Sequence, residues 1–442
     1  MEIMSAVFLA ACAALGAPPD DFGQNVAPES AEPVVIEMAM VGASEATDYL
    51  IEEIERYNNV QSGVRITYYA LQFPRREDTP LHTIPRIGQN ILGLSSEAGT
   101  EPYYLVSRDL LVPVEKFLPD PEFPDDLFYD NLWDAVTYKG KRWGVPLLCN
   151  AYALFCDWPQ FEAAGIAEPP KTWDEFLHNA ELLSSIAPEG NDPPCVGANF
   201  GFQSRFGESV TYLWKSMVLQ KGGHFVKDGR FELSHSALRE SYDFIERMRK
   251  SSAIHEDGRL YTQTLQDNKQ RYAMQIQPTY RIKHLKGETD FRIAPMPTFG
   301  KEVQLDEKRF YLAIRRSTPE KETASWEFIK WLCRQDSPYN RTVASRFTFP
   351  CMRPLVDRME ISTQFDNYPI DAKFVHYGKS WPVQWHNLEA DSPKAKNHFN
   401  EIVDALFAGK LEFEEAMQKA QQECNAILAA GEGEVEPYAL YK

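Results

Sequence analysis

Leu132 to Leu183 reads LWDAVTYKGKRWGVPLLCNAYALFCDWPQFEAAGIAEPPKTWDEFLHNAELL, and the order of its parts decides the fold. A strand pair ends in Gly144-Val145-Pro146. The apolar run Leu147 to Cys156 follows. Then come Ala164-Gly165-Ile166 and Pro169-Pro170-Lys171-Thr172-Trp173-Asp174-Glu175-Phe176. None of these pieces is specific alone; their order and spacing are.

Upstream, Val34 to Met40 is a short apolar run that suits a buried parallel strand. Gly42-Ala43-Ser44 turns the chain, and Ser44 can cap a helix from about Glu45 to Tyr57, with Leu50, Ile51 and Ile54 on one face. Asn58-Asn59 and Ser62-Gly63 end it, and Val64 to Leu71 alternates like a second strand. A β-α-β opening implies a parallel sheet and an open α/β layer fold. Downstream, Tyr212 to Gln220 reads as an apolar helix stopped by Gly222-Gly223. Ser236 to Met248 reads as an amphipathic helix, with Leu238, Tyr242, Ile245 and Met248 at helical spacing.

The Leu132–Leu183 stretch resembles the first crossover of bacterial extracellular solute-binding proteins of the carbohydrate class, the maltose-binding-protein-like family 1 of ABC importers. Further pieces fit the same pattern. Gln270 to Met274 resembles the family's Gly-x-Ala-Ala-Met element, with Gln270 for the Gly and Tyr272 for one Ala. Asp290 to Pro297 resembles the strand returning to the first lobe, Thr323 to Leu332 the helix after it, and Phe347 to Pro350 the last crossover. Lys396 to Leu428 would supply two closing helices. Ala98-Gly99-Thr100-Glu101-Pro102 departs from the family turn by lacking its Asp, and the segment to Glu115 is short, so the first lobe reads as trimmed at its rim.

The resemblance implies an α/β, two-lobed periplasmic-binding-protein-like fold, each lobe a mixed sheet flanked by helices. Three hinge crossovers are expected, near Leu147–Asn150, Gly287–Phe291 and Tyr339–Phe347. Lobe one would take residues 34–148 and 290–340, lobe two 149–289 and 341–442. It also implies a small carbohydrate ligand, ABC permease subunits as partners, a monomer, no cofactor and no enzymatic activity.

A sugar offers flat C–H faces and a rim of hydroxyls, so its site needs aromatic plates edged by amides, acids or Arg. The chain carries 9 Trp, 20 Tyr and 26 Phe, most of which any fold must use as core. The resemblance singles out the rest. Asn150 lies on the first crossover, where an amide can both donate and accept, and Tyr152 faces the same way if that segment is a strand. Trp214 and the loop residue Gly223 fall near a family ligand aromatic. Tyr280 stands where the family has a Trp. Trp381 and Trp385 sit in the polar loop Ser380 to Asn387 before the closing helices. Ser44 and Glu45 follow the first strand, where open α/β sheets bind ligands. A related ligand class is glycerol phosphate esters, for which Arg205, Arg281 and Arg353 are candidates. A carbohydrate-active enzyme, or a sensor module without a transporter, is the other alternative.

Composition narrows the field. The net charge is −18, from 46 basic and 64 acidic residues. No basic stripe of a nucleic-acid binder is present, and acidity disfavours an anionic lipid surface. The chain lacks GxxxxGK[ST], GxGxxG, GxSxG and HExxH, and no Cys/His spacing suggests a metal site. Ala6 to Leu15 is far shorter than the ~20 residues that cross a bilayer and resembles a secretion-signal core. Leu9-Ala10-Ala11-Cys12 matches the bacterial lipobox, with Cys12 as the lipidated residue, and 13–33 reads as a flexible tether. These features imply an exported protein in the periplasm or at the cell surface, held to the membrane only through a lipid. The six later cysteines permit disulfides without showing them, and most read as small buried hydrophobes.

Overall fold

The computed structural model describes residues 32–41, 45–71, 89–95, 105–106, 108–128, 130–134, 136–186, 195–199, 209–255, 271–278, 291–301, 306–334, 337, 349–350, 352–354 and 392–430. Strand β1 (Val34–Val41), the helix Glu45–Val60 and strand β2 (Val64–Leu71) form the expected β-α-β unit, with β1 and β2 parallel from Val34↔Val64 to Val41↔Leu71. Strand β3 (Ile91–Ser95) lies parallel on the other side of β1. Short hairpin strands β4 (Thr137–Tyr138) and β5 (Lys141–Arg142) lead into β6 (Val145–Asp157).

β6 organises the molecule. Its 13 residues run through two sheets. Strand β13 (Asp306–Ile314) is antiparallel to Val145–Ala151 on one edge, and β14 (Phe349–Pro350) pairs with Cys149 and Leu148. Strand β11 (Arg271–Pro278) is antiparallel to Tyr152–Cys156, and β12 (Phe291–Ala294) pairs with Leu154–Asp157. Strands β7 (Cys195–Asn199) and β10 (Ile254–His255) extend the second sheet, parallel to β11 and to each other. A small hairpin, β8 (Val226–Lys227) with β9 (Arg230–Phe231), stands apart. The strand order β10-β7-β11-β6-β13-β3-β1-β2 is that of a mixed α/β protein whose two sheets share one strand. The return strand expected at Asp290–Pro297 differs in place: its core, β12, stays on the second half of β6, and the change of halves comes between Ala294 and Asp306.

The motifs of the deciding stretch have local causes. Ala164-Gly165-Ile166 closes the helix Trp158–Ala163. Gly165 has φ +70°, Gly165 N–H donates to Glu162 O at 3.0 Å and Ile166 N–H to Phe161 O at 2.8 Å. Thr172 caps the helix Trp173–Ser185: its hydroxyl accepts from Glu175 N–H at 3.2 Å, and the Glu175 carboxylate accepts from Thr172 N–H at 3.1 Å. That helix buries Trp173, Phe176, Ala180 and Leu183 at helical spacing. It presses on β7 so closely that a Cβ on Gly197 would lie 1.8 Å from Ala180 O.

Other helices start earlier than hydrophobic periodicity suggests, because caps and prolines set their ends. Thr318 caps the helix Pro319–Leu332 and Ser392 caps Pro393–Phe407, each followed by Pro at the first helical position. The last helix is Phe413–Ala430. The Ser209–Gln220 helix carries the Ser236–Lys250 and Pro393–Phe407 helices against it. Cys156, Cys333 and Cys424 are free and buried, as small hydrophobes would be. Burial pushes all three thiols up, Cys424 to about 12, so none is a ready nucleophile. Among the described residues, no helix is long and apolar enough to cross a membrane.

Candidate functional site

Strand direction locates the site. β13 is antiparallel both to β3 and to β6, so β6 runs with β1, β2 and β3. Phe310 stands opposite Ser95 on one side and Leu148 on the other. The carboxyl end of β3 is therefore level with Leu148, and the first sheet's parallel strands all point along β6 toward Tyr152. In the second sheet, β11 runs against β6 and ends with Pro278 opposite Tyr152. β7 and β10 run with β11. Their carboxyl ends point back toward Leu148. The two parallel sets thus aim their carboxyl edges at each other across four steps of β6, about 13 Å at strand rise. Open α/β sheets bind ligands outside such carboxyl edges; here two of them share one floor.

The expected site residues fall into three groups. Glu45, Asn150 and Tyr152 belong to these edges. Glu45 opens the helix that follows β1, and Asn150 lies on β6 inside the gap, opposite Lys308 of β13. Tyr152 pairs with Pro278 at the lip of the second sheet and is buried.

Trp214, Gly223 and Arg353 stand elsewhere. Trp214 is 0% exposed; its indole N–H donates to Leu238 O at 3.1 Å, and its ring meets Phe225 and Phe407 edge-on. Those are core partners, and they leave no ring face for a sugar. Gly223 closes the Ser209–Gln220 helix through N–H to Val218 O at 2.9 Å, and a Cβ there would come within 2.7 Å of the His235 ring. Close packing explains the glycine. Arg353 spends its guanidinium on main chain, donating to Asp126 O at 3.0 Å and Phe128 O at 3.5 Å. Ser44, Tyr280, Trp381, Trp385, Arg205, Arg281 and Cys12 lie outside the described residues.

Sequence reading passed over two polar side chains at the second carboxyl edge. Asn199, the last residue of β7, is 0% exposed, and Gln275 of β11 stands directly opposite it, 4% exposed. Their only signal in sequence is an amide inside an apolar strand. Buried amides at a sheet's carboxyl edge are suited to holding hydroxyl-bearing ligands or the loops that do so. Among the described residues, no group of His, Cys, Asp and Glu is arranged to hold a metal ion.

Known proteins give the same picture. The chain is similar in structure to an ABC transporter solute-binding protein of Thermotoga lettingae bound with α-D-tagatose, at TM-score 0.66 and 20% identity, over 89% of this chain and all of that one. Maltose-bound MalE3 of T. maritima superimposes at TM-score 0.67 with 15% identity, over 88% of this chain and 99% of that one. A sugar transporter of Rhizobium etli in an open conformation gives 0.66 and 19%, over 89% and 100%. These likenesses establish the two-lobed periplasmic-binding-protein fold. In sequence, 129 residues are 27% identical to a binding protein of Brucella abortus strain 2308; the match spans 29% of each chain. Residues 96–336 match the family of bacterial extracellular solute-binding proteins, and that stretch is more than half of the molecule. The chain belongs to the bacterial extracellular solute-binding protein family.

Proposed function

We propose that this protein is the exported solute-binding component of an ABC-type importer, and that it takes a neutral sugar or oligosaccharide between the facing carboxyl edges. The observation that carries the reading is the pair of edges aimed at each other over Leu148–Tyr152. Structural relatives with that fold hold neutral, hydroxyl-rich ligands: the sugars α-D-tagatose and maltose and, in an Agrobacterium vitis protein, the polyol D-mannitol. Asn150 and Tyr152 form the floor, Ser44 and Glu45 the first rim, and Tyr280, Trp381 and Trp385 the aromatic plates. The lobes close by bending where β6 changes sheets, excluding water and strengthening each polar contact. Ligand drives closure only through its higher affinity for the closed form, which a permease would then recognise. The protein acts as a monomer, without a cofactor and without turnover, tethered outside the cell through Cys12.

The alternative ligand, a glycerol phosphate ester, has less support, because Arg353 is engaged with two backbone carbonyls. A thermal-shift screen of the full chain against neutral mono- and oligosaccharides and glycerol 3-phosphate tests the reading. A ligand that binds only the native state raises the apparent Tm. A rise with a neutral sugar is expected; a rise with glycerol 3-phosphate alone would replace the carbohydrate reading.

A further inference from the structure

We propose that Lys308 is a specificity-determining residue of the cleft, a cation that β13 brings level with Asn150 so that the two hold neighbouring hydroxyls of the sugar. The proposal rests on the reading of Asn150 and Tyr152 as the floor and adds a charged partner for them.

Strand β13 changes character along its length. Asp306-Glu307-Lys308-Arg309 is wholly charged, and Phe310 to Ile314 is apolar or aromatic. The switch falls where β3 ends. Phe310 stands opposite Ser95, the last residue of β3, and Phe310 to Ile314 run between β3 and β6. The charged residues continue past Ser95, beside Cys149 to Ala151, inside the gap between the two carboxyl edges. Strands buried in a sheet read as apolar runs; here charge begins where one neighbouring strand stops.

Register then separates the charges by face. Residues directly opposite on antiparallel strands share a face, and successive residues alternate. Asp306 stands opposite Ala151 and Arg309 opposite Cys149, so these two opposite charges share one face. Lys308 stands opposite Asn150, on the other. The ladder is irregular between Asp306 and Lys308, which is what puts residues two apart on opposite faces; Glu307 falls at the irregularity and has no partner in this ladder. The ladders place Leu148, Tyr152, Phe310, Ser95 and Pro278 on the face of Asn150 and Lys308. Among the residues so placed, Lys308 is the one charge.

The chemistry suits a sugar. An ammonium offers three donors and no acceptor, whereas the amide of Asn both donates and accepts. Cross-strand neighbours lie about 5 Å apart at Cα, a spacing that suits two adjacent hydroxyls of one ring. A charged donor gains strength when closure excludes water. A ligand lacking one of those hydroxyls would strand a polar group, which is how such a site discriminates.

The test measures the Tm and calorimetric affinity of the full chain with α-D-tagatose, maltose and D-mannitol, the ligands of its structural relatives. Lys308→Met should weaken binding of whichever probe raises the unsubstituted Tm by about 10- to 150-fold. Its ligand-free Tm should equal or exceed that of the unsubstituted protein, because a charge kept for a ligand is not a folding contact. Arg309→Met, on the opposite face, should leave the affinity unchanged. Undiminished affinity in Lys308→Met would overturn the proposal. So would an equal loss in Arg309→Met, which would trace the effect to net charge. A ligand-free Tm of Lys308→Met lower by more than about 4 °C would make Lys308 a structural residue and overturn it as well. Failure of the carbohydrate reading looks different: glycerol 3-phosphate, and none of the three probes, raises the unsubstituted Tm. If nothing raises it, the ligand-free comparison decides alone: an equal or higher Tm in Lys308→Met supports the assignment, and the fall named above overturns it.

Discussion

The indole of Trp173 donates to Gln220 Oε1 at 2.8 Å, with both side chains buried, and so ties the first turn of one helix to the last residue of another. Gln220 also donates to Pro297 O at 3.4 Å. The amide joins three segments that lie 47 and 77 residues apart in sequence. Gln220→Leu should cost about 1–3 kcal/mol, because it strands a buried indole N–H. Denaturant unfolding of the full chain measures this. Trp173→Phe in the same background should recover part of the loss, since no orphaned donor then remains.

Gly197→Ala should be among the most damaging small substitutions in the chain. The added Cβ would fall 1.8 Å from Ala180 O, which is backbone and cannot rotate away. The helix Trp173–Ser185 would have to move off β7, breaking the 2.7 Å bond from Gly197 N–H to Ser184 Oγ. Overpacking of this kind costs about 3 kcal/mol or more. A guanidinium midpoint within error of the unsubstituted protein would contradict the packing described here.

Asp120 should contribute stability that acid removes. Burial pushes its carboxyl up, but hydrogen bonds from the Trp326 indole at 3.0 Å, Glu122 N–H at 2.9 Å and the Lys330 ammonium outweigh this and hold it below its ordinary 3.8. A carboxylate held down in the folded state stabilises above its unfolded pKa and loses that stability as pH falls through the folded one. Asp120→Asn should therefore cost about 1–3 kcal/mol near pH 7. The gap to the unsubstituted protein should narrow steadily below pH 3.8. Urea titrations at a series of pH values would show it, and a pH-independent gap would rule out the charge as the cause.

The tryptophans should divide by role. Trp214→Ala removes a wholly buried ring and should cost about 3–5 kcal/mol of folding stability. Replacing the plate among Trp381 and Trp385 with Ala should leave folding intact and cost about 2–4 kcal/mol of binding to the sugar found by the thermal screen. Calorimetric titration beside a melting curve separates the two. If both single variants bind like the unsubstituted protein, the plates lie elsewhere.

Cys12→Ala should move the protein from the membrane fraction to the soluble exported fraction in its native host. Lipidation of the Leu9-Ala10-Ala11-Cys12 box motivates this. Equal partition of the two forms would exclude the anchor.

Local chemistry made much of this protein legible without coordinates. Strand β2 is bounded as Val64–Leu71 by alternation and by the flanking Gly63 alone. Ala164-Gly165-Ile166 and Lys171-Thr172-Trp173 keep their spacing because one closes a helix with a left-handed glycine and the other opens the next with a capping box. Such devices span a few residues, so sequence determines them. Tertiary structure alone decided which of the described aromatics are core and which sheet a strand joins. Trp214 lies on an apolar helix near a double glycine whether it meets a ligand or, as here, Phe225 and Phe407. Arg353 could face an anion or, as here, two carbonyls. β12 looks like a returning strand in either sheet; only its pairing with Leu154–Asp157 assigns it to the second. The reason is common to all three. A side chain's partners arrive from elements tens to hundreds of residues away, and periodicity, which records only which face is apolar, carries no record of what covers it.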